Sequence, residues 1–115
     1  MATLDELKEM FNKWIKILDD PEVAAEFEGY NKTMQFVFPD INVNLQLVFN
    51  GPEAKLVEGF TENAEMSLEV DSEMFKGINT GEIDPMEAFM EGNLKPKGNM
   101  NDLEKLEVFM DAMDG

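Results

Sequence analysis

Cysteine, histidine and arginine are all absent from this chain of 115 residues. Without cysteine there can be neither disulfides nor thiolate metal sites. Without histidine as well, a Ser–His or Cys–His nucleophile pair cannot be assembled, and zinc would have to rely on carboxylates alone. Nine lysines are the whole cationic complement, against 25 acids, for a net charge of −16. Nucleic-acid binding needs clustered cations to neutralise phosphates, so no nucleic-acid partner is expected. Stable association with an anionic membrane is opposed for the same reason. No apolar run approaches the length of a membrane span, and no charged-then-apolar start marks a signal peptide. The expected location is therefore cytoplasmic. A charge this large speaks to solubility and association, and it fits a basic partner or a high-salt interior equally well.

Carboxylates remain as candidates for acid–base chemistry. They fall on polar helix faces and in turns, where solvated charge belongs, whereas a raised carboxylate pKa needs burial. Asp71-Ser72-Glu73 lacks the alternating ligands and central glycine of a calcium loop. Gly77, Gly81, Gly92 and Gly98 are too widely spaced to cradle a phosphate, and no Gly-Lys-Ser/Thr follows them. The expectation is a protein that is not an enzyme, with no catalytic residue, no metal ligand and no cofactor.

What is present is a clear change of period. In residues 3–20, Leu4, Leu7, Phe11, Trp14 and Leu18 recur at the three-and-four spacing of one helix face. Thr3 and Glu6 make a capping box ahead of them. Pro21 ends this helix or opens a short successor over 21–27. Alternation then takes over. Met34, Phe36 and Phe38 form one run, and Ile41, Val43, Leu45 and Leu47 a second. Residues 54–60 and 65–70 make two more, and short turns at Pro39-Asp40 and Asn50-Gly51-Pro52 separate the first three. Four such strands in succession predict an antiparallel meander with one apolar face.

The cover for that face follows. Asp71-Ser72 is expected to cap a helix bearing Met74, Phe75 and Ile78, ending at Thr80-Gly81. Asp84-Pro85 starts another, with Met86, Phe89 and Met90 apolar and Gly92 at its end. Residues 93–97 read as an edge strand that Pro96 should disturb. Asn101 with Glu104 opens a last helix, striped by Leu103, Leu106, Met110 and Met113 and flanked by Phe109. The chain thus reads as one domain over 1–115 of α+β class: an antiparallel-rich five-stranded sheet covered on one face by helices.

Methionine is abundant: ten in all, six of them between Met74 and Met113. Its flexible, polarizable side chain suits a binding surface for irregular ligands, and it serves equally as core filler.

Residues 80–100 resolve part of that choice. Thr80-Gly81, Asp84-Pro85, Ala88-Phe89, Gly92, Leu94-Lys95 and Gly98-Asn99 stand in order ahead of an amphipathic helix. This run closely resembles the signature of the sterol carrier protein 2 domain family. Met66-Ser67-Leu68-Glu69-Val70-Asp71-Ser72, followed by Met74-Phe75, is similar to the family's strand leading into the helix that bears on the ligand. The resemblance implies an internal hydrophobic tunnel and no catalytic residues. It also implies a lipid-like small molecule as partner, of the sterol, fatty acid or acyl-CoA class. Carried over by position, it puts Phe75, Ile78, Met86, Phe89, Met90 and Leu94 on the tunnel wall. Leu103, Leu106, Met110 and Met113 of the last helix would close it. Lys95 and Lys97 are then the basic pair expected near the rim. The sequence departs from the family in its strong acidity and in Pro96, and with Asp114-Gly115 at its end no peroxisomal targeting tripeptide is expected. The alternative expectation is an accessory or dimerisation module, with the same apolar surface meeting a protein partner or a second copy.

Overall fold

The computed structural model describes residues 2–98 and 100–114, excluding the side chains of Met100, Leu103, Met110, Asp111, Met113 and Asp114. The chain opens with α1 (Leu4–Ile17), where the capping box forms: Thr3 Oγ1 accepts from the Glu6 amide at 3.2 Å and Glu6 Oε1 from the Thr3 amide at 3.1 Å. Its buried face carries Leu7, Phe11 and Trp14. A second helix, α2 (Pro21–Glu26), starts on an Asp20 cap with proline in its first turn, and buries Val23.

Strands β1 (Thr33–Phe38), β2 (Val43–Asn50) and β3 (Glu53–Glu58) form two successive antiparallel hairpins. The β2–β3 turn is tight: Asn50 pairs with Glu53 around Gly51, whose φ of +63° suits a residue without Cβ. Beyond β3 the structure departs from a meander. Strand β4 (Met66–Glu69) does not pair with β3. It returns across the sheet and lies parallel to β1, with Met34 opposite Met66 and Phe36 opposite Leu68. The sheet order is therefore β3-β2-β1-β4-β5.

Gln35 holds this crossing in place. It is only 1% exposed, and its amide group reads the backbone of Thr61 in both directions. Nε2 donates to the Thr61 carbonyl at 3.0 Å, and Oε1 accepts from the Thr61 amide at 2.7 Å. Gln46 similarly donates to the Gly59 carbonyl at 2.9 Å. A buried side-chain amide satisfied this way costs little, whereas one left unpaired costs about 1–3 kcal/mol. Residues 59–65 thus lie on the polar face of the sheet and leave the apolar face free for helices.

After β4 come α3 (Ser72–Thr80), α4 (Pro85–Met90), β5 (Lys95–Gly98) and α5 (Met100–Asp114). Strand β5 is an edge, antiparallel to β4, and its ladder runs through Pro96 opposite Leu68 without a break. An edge position tolerates a residue that cannot donate. At its end, Gly98 has φ +105°, and a Cβ there would stand 2.2 Å from the Glu65 carbonyl oxygen. Only glycine lets these two strands close up.

Asp71 does not cap α3 with its side chain. Asp40, from the β1–β2 turn, takes that role: its carboxylate accepts from the Ser72 amide at 3.0 Å and from the Ser72 hydroxyl at 2.6 Å. Partial burial pushes the Asp40 carboxyl up, but the two Ser72 bonds outweigh that and hold it below the usual range. The last helix begins at Met100, so Asn101 lies in its first turn rather than at its cap.

The apolar sheet face presents Met34, Phe36, Phe38, Leu45, Leu47, Phe49, Met66 and Leu68, all buried. Aromatic rings fill the layer between sheet and helices. Trp14 stacks on Phe109 with centroids 4.8 Å apart, Phe11 on Phe75 at 5.2 Å, and Phe27 on Phe49 at 5.1 Å. Such pairs contribute about 0.5–1.5 kcal/mol each beyond simple burial.

Candidate ligand-binding cleft

Three helices and the edge of the sheet converge on one apolar recess. Helix α3 is fixed first. Asn79 accepts from the Trp14 indole N–H at 2.9 Å and donates to the Phe75 carbonyl at 2.8 Å, which ties α3 to α1 through a buried polar pair. Gly77 allows the α3–α4 loop to pack close, since a Cβ there would meet Ile83 Cδ1 at 2.4 Å. Phe75 and Ile78 are thereby held buried, facing the sheet edge.

Helix α4 is thin. Asp84 accepts from the Met86 amide at 2.8 Å, Pro85 fills the first turn, and six residues later the helix ends. Ala88 alone is buried. Helix α5 is anchored by polar groups on its far side. The Asp102 carboxylate, itself buried, accepts from the Tyr30 hydroxyl at 3.0 Å and from Lys32 Nζ at 3.1 Å. Burial, then the neighbouring carboxylate, pushes the Tyr30 hydroxyl well above its ordinary value. Lys105 donates to the Glu26 carbonyl at the end of α2 and lies over the Phe27 and Tyr30 rings.

Between these elements lies a cleft of 270 Å³, lined by Leu68, Phe75, Ile78, Pro85, Met86, Phe89, Leu94, Glu104, Leu106 and Glu107. Five of the six residues expected on a tunnel wall are therefore brought together, Phe75, Ile78, Met86, Phe89 and Leu94, along with Leu106 from the helix expected to close it. Met90 is not among them. It is 83% exposed, because six residues of helix cannot turn Met86, Phe89 and Met90 all inward while Ala88 is buried. The side chains of Leu103, Met110 and Met113 lie outside the described residues. Leu68 and Pro85 are added by the structure. So are Glu104 and Glu107, which a search for apolar stripes passes over.

A larger groove of 540 Å³ lies on the opposite face of the sheet, between residues 60–64 and β5. Its lining is mixed, with Gln35, Glu62, Glu69, Lys95 and Lys97 among apolar groups. The apolar recess is the better candidate for a hydrophobic ligand, since such sites are lined mainly by apolar side chains. Lys95 and Lys97 belong to this other face, where Lys95 pairs with Glu69 at 3.6 Å, so they do not stand at the cleft rim. Strand alternation explains it: Pro96 alone of the three turns to the helix side, opposite Leu68. Among the described residues no group of three acidic, cysteine or histidine side chains converges to hold a metal. Among the same residues, no helix is long and apolar enough to cross a membrane.

A mixed five-stranded sheet with one parallel pair, helices on one face and an apolar cleft at its edge defines an α+β sterol-carrier type of fold. The family model described as the SCP-2 sterol transfer family matches residues 11–111, and the chain belongs to that family. Sterol Carrier Protein-2 from Aedes aegypti, solved with the C16 fatty acid palmitate, is similar with a TM-score of 0.72 and 21% identity, over 97% of this chain and 98% of that one. A UbiJ-SCP2 ubiquinone synthesis protein is similar with a TM-score of 0.67 and 12% identity, over 84% of each chain. A double mutant of the sec-alkyl sulfatase PisA1 gives a TM-score of 0.75 and 20% identity over 96% of this chain. This chain spans only 16% of that sulfatase. No curated protein sequence matches.

Proposed function

We propose that this chain reversibly binds one lipid-like molecule, burying an apolar chain or ring system in the α3–α4–α5 cleft, and carries out no covalent chemistry on it. The observation that carries the reading is the cleft itself. Its apolar lining opens beside Met86 and Phe89, which are 63% and 39% exposed. Hydrophobic transfer drives the binding at roughly 25 cal/mol per Å² of apolar area covered. Part of that gain is consumed by ordering the ligand.

At 270 Å³ the cleft lies just under the ~300–1,000 Å³ of sites that bury most of a drug-sized molecule. A sterol or long acyl chain would therefore need α4 to move outward, extending the cleft into a tunnel. The slight burial of α4 makes it the element to yield. Membership of the sterol transfer family and the palmitate held by the Aedes aegypti protein support the lipid class of ligand.

The test is native mass spectrometry of the purified protein together with displacement of a fluorescent fatty-acid analogue. A co-purified lipid or saturable displacement is expected; failure of both would overturn the proposal. The exposed Met86, Phe89 and Met90 favour a second reading, in which the same surface meets a protein partner or forms a homodimer. A ligand-free dimer in the same measurement would select it.

A further inference from the structure

Among the described residues, Glu104 and Glu107 are the only charged groups lining the cleft. They stand three residues apart on α5, hence as neighbours on one face. Among the described residues neither is in an ion pair. The nearest cation along the helix, Lys105, is engaged by the Glu26 carbonyl and the Phe27 and Tyr30 rings. Lys95 and Lys97 face the opposite side of the sheet. Among the described residues the charged groups at this apolar cleft are therefore both acidic.

An amphiphile whose hydrocarbon fills the cleft must leave its head at that rim. A carboxylate head would be repelled there, a hydroxyl head left indifferent, and an ammonium head attracted. We infer that the cleft selects single-chain amphiphiles with a cationic head, the long-chain amine class, over fatty-acid anions. This inference rests on the lipid-binding reading and sharpens it. One rim carboxylate within a few ångströms of the head, at a dielectric between water and protein, changes affinity by roughly tenfold at low ionic strength. Salt should erase most of that change.

The experiment compares dodecylamine, dodecanol and dodecanoate at pH 7 as competitors for a neutral fluorescent probe bound to the protein, in low and high salt. Dodecylamine is expected to bind at least about tenfold tighter than dodecanoate in low salt, with dodecanol between them and the gap closing in high salt. The double variant Glu104→Gln/Glu107→Gln should narrow the gap by about tenfold or more. The double variant Glu9→Gln/Glu28→Gln makes the same charge change at exposed positions elsewhere and should leave the gap intact. Dodecanoate binding as tightly as dodecylamine in low salt would overturn the inference, and the wild-type series decides this even where a variant fails to fold. Equal narrowing by both double variants would also overturn it, reducing the preference to diffuse attraction by a chain of charge −16. If none of the three probes binds, the lipid-binding reading itself falls, and the inference with it.

Discussion

Tyr30 and Asp102 meet across 72 positions of sequence, and Lys32 completes the group. A carboxylate this deeply buried is tolerable only because both partners bond to it. Tyr30→Phe should therefore cost about 1.5–3 kcal/mol, the range for a hydrogen bond to a charged group. The hydroxyl's value is raised by folding, so its contribution is complete below the unfolded value of about 10 and fades as pH climbs through the folded one. Denaturant unfolding of wild type and Tyr30→Phe across neutral and alkaline pH should show the gap between them constant up to about pH 10, then shrinking. A gap that grows with pH would contradict this account of the buried group.

Helix α4 and helix α3 border the same cleft with opposite mechanical character. Phe75 on α3 is buried in ring contacts with Phe11, Trp14, Phe36 and Phe38. Phe89 on α4 is 39% exposed and, among the described residues, makes no such ring contact. Phe75→Ala should cost about 3–5 kcal/mol, as for a packed core, and Phe89→Ala clearly less, while shifting the chain length of ligand preferred. Chemical unfolding beside competition between acyl chains of different length measures both. Equal destabilisation by the two changes would make α4 part of the core rather than a movable cover.

The strength of the local signal sets how far the elements could be read from sequence. Helix α1 was legible because fourteen residues with a capping box allow one apolar face only. The pairing of β2 and β3 was legible because Asn50-Gly51-Pro52 is a turn with no room for another route. The partner of β4 was not. Alternation assigns each residue a face but says nothing about which strand lies beside it. The available clue was the seven residues, 59–65, between β3 and β4, too many for a tight hairpin. Gln35, a buried amide on the polar face, marks where they cross. In the cleft, five apolar wall residues and Leu106 followed from the resemblance, but Met90 shows that a helix of six residues carries too little period to fix its inward side.

For the molecule as a whole, charge is the dominant long-range term. With 25 acids against nine lysines, and with Lys95 and Lys97 turned from the cleft, the mouth cannot approach an anionic bilayer without repulsion. Uptake of a fluorescent lipid should be slower from anionic than from neutral vesicles at low salt, and the difference should vanish as salt is added. Stopped-flow transfer measurements read this directly. Faster uptake from anionic vesicles would mean that the open-face lysines dock the protein after all.

The parallel placement of β4 beside β1 also imposes an order in time. Met34 pairs with Met66, and Met66 in turn with Gly98, each 32 positions further along the chain (66 − 34 and 98 − 66). The hairpins β1–β2 and β2–β3 close over a few residues and can form early; closing the longer loops costs more entropy and comes later. Until then the free edge of β1, which carries Met34, Phe36 and Phe38, is a row of unpaired amides and carbonyls that another nascent chain could extend. Pulsed hydrogen exchange during refolding should find β2 amides protected before those of β4 and β5. Self-association should be worst in that interval and fall away once β4 is seated.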